Sequence, residues 1–297
     1  MKESIYGALL RAMRPGQWIK NLFVIAPLLF GKSLLNGGPV VRTIAAAAAF
    51  CAMASALYLI NDVADREADR LHPTKKKRPI ASGALPLSWA ISASAVLVFV
   101  AVTLVLVFTP EALGALLSYA VLTTTYTYIL KKIALLDVLV IASGFVIRVV
   151  AGAKAATVQP SHWLLLCTFF LALFLALGKR KKELQDQGSS ARASLATATP
   201  ALLGDFQNVA LGITIVSYTL YTVSPETVAW FGSDRLLVSV PFVVFGLFRW
   251  RLQEARGGGE DPSSDLFGDP ALLVNVALWG ILCAALIYLV PRGYSFW

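Results

Sequence analysis

The chain is constrained above all by a succession of apolar runs, each near the length of a bilayer crossing and separated by short charged loops. A helix crosses the hydrocarbon core with about 20 residues. Runs of this kind fall near 20–36, 41–61, 87–109, 111–130, 134–152, 162–179, 207–224, 236–250 and 271–291, the first and eighth being short. They are continuous rather than alternating, so they point to helices and not to barrel strands. The expected fold is all-α: a polytopic membrane protein of nine transmembrane helices. Composition agrees, with 57% apolar and only 14% charged residues. A soluble domain carries about a quarter charged residues.

Charge placement tests the helix count. With the N-terminus cytoplasmic, the inner segments hold Lys2, Arg11, Arg14 and Lys20, six bases from Arg66 to Arg78, and the pair Lys131 and Lys132. They continue with Lys179 to Lys182, Arg192, Arg249, Arg251 and Arg256, making 20 of the 26 lysines and arginines. The outer side keeps Lys32, Arg42, Lys154, Arg235 and Arg292, and Arg148 lies within a span. A helix miscounted midway would erase this asymmetry. The expected location is the cytoplasmic (inner) membrane, multi-pass, with the N-terminus inside.

A net charge of +9 suits anionic headgroups or an anionic substrate. Nucleic acid is a poor match as a partner, because the bases sit in short loops between apolar spans. The start, MKESIYGALLRAMRPGQW, reads as an interfacial amphipathic lead-in and not as a removable signal peptide. Cys51, Cys167 and Cys283 are odd in number and dispersed in apolar runs, which favours packing thiols over a disulfide framework or zinc site. No Walker A, Rossmann or zinc spacing is present, and two histidines offer no Ser–His–Asp arrangement.

One membrane domain, 1–297, accounts for the whole length. Its longer inner loops are an acidic one at 61–86, a basic one at 178–206, and a connector at 254–270 that is rich in Gly, Pro and Ser and reads as flexible. One long charged loop in each half hints at an internal repeat, although the sequences barely match. The aromatic end YSFW reads as an interfacial belt.

The acidic loop, NDVADREADRLHPTKKKRPIASG at 61–83, packs four acids and six bases into 23 positions. On a helix, Asp62 and Asp69 lie within about 20° of each other and Asp65 about 60° away, with Glu67 on the opposite side. Like charges so spaced repel, so a helix gathers them to hold a cation. Hard oxygens suit Mg²⁺, which commonly bridges a carboxylate to a phosphate. The alternative is an acidic helix end balancing the bases of 70–78, but carboxylates at a helix C-terminus meet the negative end of its dipole. Pro73 ends the helix and leaves His72 a boundary residue, a candidate ligand or, with no second histidine nearby, more often a structural turn residue. Beside a carboxylate–metal cluster, Lys75 and Arg78 become candidates to neutralise phosphate oxygens.

At these residues the chain resembles the UbiA superfamily of intramembrane prenyltransferases. NDVADREAD at 61–69 matches the first Asp-rich signature, N-D-x-x-D-x-x-x-D, and KRPIASG matches its usual continuation. Where a second Asp-rich motif would follow the sixth helix, this chain reads LGKRKKELQDQ, 177–187, leaving Glu183 as the main nearby acid. That departure resembles the phosphoribosyltransferase branch of the superfamily. RPGQWIKN at 14–21, YTYILKK at 126–132 and FVIRVVAG at 145–152 extend the likeness over most of the first 185 residues.

The resemblance implies nine helices bundled around a cytoplasm-facing active-site cavity. It implies Mg²⁺ on Asp62, Asp65 and Asp69, the catalytic aspartates, with 5-phosphoribosyl diphosphate as donor and a polyprenyl (decaprenyl) phosphate as acceptor. Asn61, Lys75 and Arg78 join that site. Lys20, Lys131, Lys179 and Arg180 are candidates to neutralise phosphates, with Glu183 beside them, and Tyr126 to hydrogen-bond the donor. Lys20 and Lys131 have an equal reading as snorkelling anchors. Arg148 faces an interior cavity, either paired with Asp137 or binding lipid phosphate. The number of copies stays open, and a homo-oligomer is compatible with the chain.

Two rival readings have distinct signatures. An aromatic prenyltransferase using a polyprenyl diphosphate would carry a second aspartate cluster in place of GKRKKEL. A lipid-phosphate transporter would spread charge through several spans, and only Arg148 and Asp137 fit that description.

Overall fold

The computed structural model describes residues 4–187, 193–195, 197–259 and 262–289. Lys2, Arg192, Arg292 and the YSFW end lie outside the described residues. Those described fold into helices with no strand among them. In chain order the α-helices are α1 (Ile5–Met13), α2 (Ala26–Phe30), α3 (Gly37–Ala64), α4 (Arg66–Leu71), α5 (Leu87–Phe108), α6 (Leu113–Tyr128) and α7 (Leu136–Ala156). There follow α8 (His162–Gln187), α9 (Pro200–Val223), α10 (Pro225–Phe231), α11 (Val240–Ala255), α12 (Pro262–Gly268) and α13 (Pro270–Tyr288). Among the described residues, six helical stretches are long and apolar enough to cross a membrane: 37–64, 87–108, 136–156, 162–186, 235–255 and 270–288.

Helix starts follow capping chemistry. Thr199, Ser224 and Asp269 each precede a proline, and each side chain accepts a backbone N–H of the first turn. Proline at the first helical position gives up no intrahelical bond, so a cap–proline pair makes an abrupt start.

Four expectations are corrected. The run at 20–36 is not one helix: a 3₁₀ segment, Pro15–Val24, gives way to the single turn of α2, and Lys32 ends it in the left-handed region at φ 53°. The acidic loop at 61–86 is largely helical, through the end of α3, α4 and a 3₁₀ turn at Lys75–Lys77. The basic motif lies on α8, which runs on to Gln187, and not in a loop. The 254–270 connector contains α12, tied back by Gln253 Nε2 donating to the Asp265 carbonyl and by Gly259 N–H donating to its carboxylate.

The chain divides into two compact units. The first comprises Met1–Leu28, Ser33–Tyr128 and Ile147–Val158. Here α3 and α5 run antiparallel, joined midway by Ser94 Oγ donating to the Ala56 carbonyl. The alanine-rich stretch of α3 presents Ala46, Ala49 and Ala54 to Ala101 and Val105, around Phe50 and Tyr119. Small side chains let backbones approach in an environment where lipid is as apolar as leucine. Gly152 serves the same end, since a Cβ there would clash with the Val24 carbonyl of the 3₁₀ segment.

The second unit comprises Leu29–Lys32, Ile129–Val146 and Gln159–Trp297. Its core packs Phe174 and Leu177 of α8 against Leu203 and Ala210 of α9 and Trp250 of α11. Buried polar groups on these helices find partners across them. Gln207 donates to the Phe174 carbonyl, Asn275 to Phe242, and Trp279 to the Tyr218 hydroxyl.

Candidate active site

Each unit carries one charged cluster. In the first, α3 delivers Asn61 and Asp62 in its last turn, then breaks at Asp65 (φ −88°, ψ 5°) before α4 resumes. The three aspartates therefore do not ride one continuous helix. Asp62 and Asp69 are 2% and 4% exposed, while Asp65 and Asn61 are half-buried. One guanidinium joins the buried pair. Arg78 Nη1 donates to Asp62 Oδ1 at 3.1 Å and to Asp69 Oδ2 at 2.7 Å. Arg14 Nη2 donates to the same Asp62 Oδ1 at 2.5 Å, its guanidinium carbon 4.9 Å from the centre of the Tyr58 ring.

Two carboxylates that would repel are thus compensated by two guanidiniums, as burial of charge demands. Asp62 Oδ2 and Asp69 Oδ1 accept no hydrogen bond from the described residues. Among the described residues no three His, Cys, Asp or Glu side chains group tightly enough to cage a metal. Mg²⁺ rarely uses such a cage, binding through one or two carboxylates plus substrate phosphates and water. The donor set fits that ion as a bridge to phosphate.

The bases beyond α4 are positioned by His72, whose Nδ1 accepts from the backbone N–H groups of Thr74 (3.3 Å) and Lys75 (3.4 Å). This is the structural turn role expected of it. Lys75 is half-buried, and Lys76 and Lys77 are exposed. Lys20 on the 3₁₀ segment and Tyr126 on α6 are half-buried as well. Arg148, 6% exposed, donates Nε to Asn21 Oδ1 at 2.8 Å and Nη2 to the Tyr119 hydroxyl at 2.9 Å. Asp137, the other candidate partner for it, accepts from Arg180 in the second unit.

In the second unit the basic motif occupies the last turns of α8. Arg180, 3% exposed, donates Nε to Asp137 Oδ2 at 2.7 Å and Nη1 to Glu183 Oε2 at 2.8 Å. A cavity of about 130 Å³, largely apolar, has this pair on its wall with Leu177, Leu203 and Phe206. Lys181 donates to Gln207 and Glu254, both 3.3 Å away, and Arg251 Nη1 to the same two at 2.6 and 2.8 Å. Gly178 faces this network, with no room for a Cβ beside the Glu254 carboxylate and the Gln207 amide. Lys182 pairs with Asp186 at 3.0 Å. Lys179 is half-buried on the same helix, and Lys131 half-buried on the 3₁₀ turn Leu130–Lys132.

Several of these participants carried no expectation. Arg14 lies 48 positions before Asp62, and Glu254 lies 73 after Lys181. A periodic pattern identifies a face but no distant partner. The one local signal for Arg14 was its place in RPGQWIKN, a stretch that already carried the family likeness.

These features belong together in one class of protein: a helical membrane enzyme with an acidic motif at a helix end. The chain belongs to the UbiA prenyltransferase family, whose profile matches residues 24–268. It is a multi-pass membrane protein. It is similar to the decaprenyl-phosphate phosphoribosyltransferase of Corynebacterium glutamicum, 32% identical over 97% of this chain and 89% of that protein. The enzyme of the same name from Mycolicibacterium smegmatis is 32% identical over 96% of this chain and 94% of its own. In three dimensions it is similar to a UbiA homolog from Archaeoglobus fulgidus bound to GPP and Mg²⁺. That structure has a TM-score of 0.74 over 94% of this chain and 99% of the other, at 17% identity, which establishes a common fold.

Proposed function

We propose that the protein transfers the 5-phosphoribosyl group of phosphoribosyl diphosphate to a polyprenyl phosphate, decaprenyl phosphate being the acceptor its relatives' names give, for a cell-wall glycan precursor. The observation that carries this reading is the fate of the acids around the basic motif. Asp137, Glu183, Glu254 and Asp186 are each ion-paired to a cation of GKRKKEL, so they form no second carboxylate cluster for a prenyl diphosphate. One exchangeable acidic pair, Asp62 and Asp69, suffices for one leaving diphosphate. Full-length likeness to enzymes of that name supports the same reading.

In the reaction the bond from the ribosyl anomeric carbon to diphosphate breaks and a bond from that carbon to an acceptor phosphate oxygen forms. Diphosphate leaves with the electron pair, and the carbon passes through oxocarbenium character. The acceptor is already an anion near pH 7, so no general base is needed. Bound Mg²⁺ would supply charge neutralisation for the departing diphosphate. Asp62 and Asp69 would hold it, with Asp65 beside them at the helix break.

Lys75, and Arg78 from its place against Asp62 and Asp69, would neutralise phosphate oxygens, with Asn61 and Tyr126 orienting the donor. Lys20, Lys131 and Lys179 are assigned to donor or acceptor phosphates, and Arg148 to the acceptor. Arg180, held by Asp137 and Glu183, contributes by fixing that turn of α8. With α6, α9 and the broken segment at 15–30 as the remaining crossings, the chain would make nine, and charge placement supports an active site on the cytoplasmic side.

The test is incubation of the purified protein in detergent with labelled phosphoribosyl diphosphate, decaprenyl phosphate and Mg²⁺. Label should enter an organic-extractable lipid. It should be abolished by EDTA and fall by about a hundredfold or more in Asp62→Asn. Absence of labelled lipid, with activity on a polyprenyl diphosphate and 4-hydroxybenzoate instead, would sink the reading.

A further inference from the structure

We infer that Arg14 is the resident counter-cation of the acidic motif and makes divalent-metal binding contingent on the anionic donor. The inference rests on the reading of Asp62 and Asp69 as metal–diphosphate ligands. Asp62, Asp69, Arg14 and Arg78 form a buried or half-buried quartet of two negative and two positive groups, formally neutral without any ligand. A carboxylate oxygen has two lone pairs, and Asp62 Oδ1 spends both, on Arg14 and Arg78. A dication arriving alone at the remaining oxygens meets two guanidiniums already bound to the same carboxylates. A dication arriving with diphosphate brings an anion to which the Arg14 guanidinium can turn. Metal and donor then favour each other's binding, and by linkage the coupling is reciprocal.

Arg14, rather than Arg78, is the group free to make this exchange. Arg78 bonds two carboxylates and leads into Pro79 and Ile80, which are buried. Arg14 makes one carboxylate contact, and its side chain is 29% exposed. Its backbone is fixed independently. Arg14 adopts φ 56°, in the left-handed region, at the joint between α1 and the 3₁₀ segment. Ser55 Oγ donates to the Met13 carbonyl on one side and accepts from Trp18 Nε1 on the other. A non-glycine residue in that conformation is held by its surroundings at a cost, which is common where a side chain must be aimed. The guanidinium can therefore leave Asp62 without the backbone moving, which makes Arg14 a positioning residue for metal entry.

The experiment is an equilibrium dialysis of the detergent-purified protein with Mn²⁺, with and without inorganic diphosphate at equal concentration on both sides, the excess Mn²⁺ on the protein side being counted as bound. Wild type should bind Mn²⁺ weakly alone and about tenfold or more tightly with diphosphate. Arg14→Gln should bind Mn²⁺ alone about tenfold more tightly than wild type, and diphosphate should then add little. Arg14→Lys keeps the charge and should restore most of the diphosphate dependence, which also covers the case of a poorly folded glutamine variant. Unchanged or weaker Mn²⁺ binding in folded Arg14→Gln, with diphosphate dependence intact, overturns the inference and leaves the proposed function standing. If wild type binds no Mn²⁺ even with diphosphate, or binds it equally in Asp62→Asn, the metal reading itself falls and this inference with it.

Discussion

The two charged clusters are inverses of each other. In the first unit the acids are buried, Asp62 and Asp69, and the bases that serve them, Arg14 and Arg78, keep more than a quarter of their side chains exposed. In the second unit the base is buried: Arg180 is enclosed at 3% exposure between Asp137 at 2% and Glu183 at 14%. A half-buried guanidinium on a flexible stem can exchange a carboxylate for an incoming phosphate. A guanidinium buried between two carboxylates cannot do so without leaving the buried Asp137 uncompensated. On the proposed function, the difference separates a cluster suited to ligand exchange from one suited to holding a helix end, although the sequence presents both as charged motifs.

The largest effect should come from breaking the closed cluster. Arg180→Met strands Asp137 as a buried unpaired carboxylate, an event that costs about 3–5 kcal/mol. Arg14→Met removes one of two guanidiniums from Asp62 near water and should cost about 2 kcal/mol or less. Denaturant midpoints in detergent give the ranking. The double change Asp137→Leu with Arg180→Met should recover most of the loss, because an apolar pair of similar volume replaces a buried ion pair at little cost. Equal losses for Arg180→Met and Arg14→Met would erase the contrast between the clusters.

A glycine in each unit sharpens the comparison at smaller amplitude. A Cβ at Gly152 would meet the Val24 carbonyl, which is backbone and cannot turn aside. At Gly178 it would meet the ends of the Glu254 and Gln207 side chains, which can rotate but are tied to Lys181, Arg251 and Trp250. Gly152→Ala should therefore destabilise by about 2–3 kcal/mol and Gly178→Ala by about 1 kcal/mol. Gly178→Ala should lose phosphoribosyl transfer out of proportion to its stability, because it displaces the partners of the basic motif. Thermal midpoints and the labelled-lipid assay on the same preparations separate the two quantities. A Gly178→Ala enzyme of full activity would mean that the Glu254 network is scaffolding alone.

Much of this was legible in the sequence because it is periodic or local. Continuous apolar runs gave the long helices, and the Asp-rich motif marked where the acids of α3 and α4 lie. The basic residues at 179–182 signalled the departure from a second aspartate cluster. What was not legible depends on tertiary contact. The break at Asp65 redirects α4 so that Asp69 reaches Arg78, and no residue at 64–66 is a helix breaker by type. Asp137 was a plausible partner for Arg148, eleven positions on along α7, yet it joins Arg180 from α8, 43 positions away. Hydropathy alone also read 20–36 as one span, although Pro27 and the left-handed Lys32 divide it.

The smallest expected effect lies away from both clusters, at the start of α13. Arg249 Nε donates to Asp269 Oδ2 at 2.7 Å, and the other carboxylate oxygen accepts from the N–H groups of Ala271 and Leu272. The bond from Arg249, against an opposing effect of desolvation and with help from the two N–H groups, holds the Asp269 carboxyl below the usual carboxylate range. A group whose folded pKa is depressed stabilises fully above its unfolded pKa, about 3.9 for Asp, and loses that contribution as pH falls through the folded value. Wild-type thermal stability should accordingly drop more between about pH 5 and pH 3 than that of Asp269→Asn, which keeps an N-cap acceptor but has no charge to lose. Parallel pH profiles for the two proteins would show that Asp269 acts only as a cap. It would then be neutral to the contrast drawn above, in which burial, and not ion pairing as such, decides what a charged pair contributes.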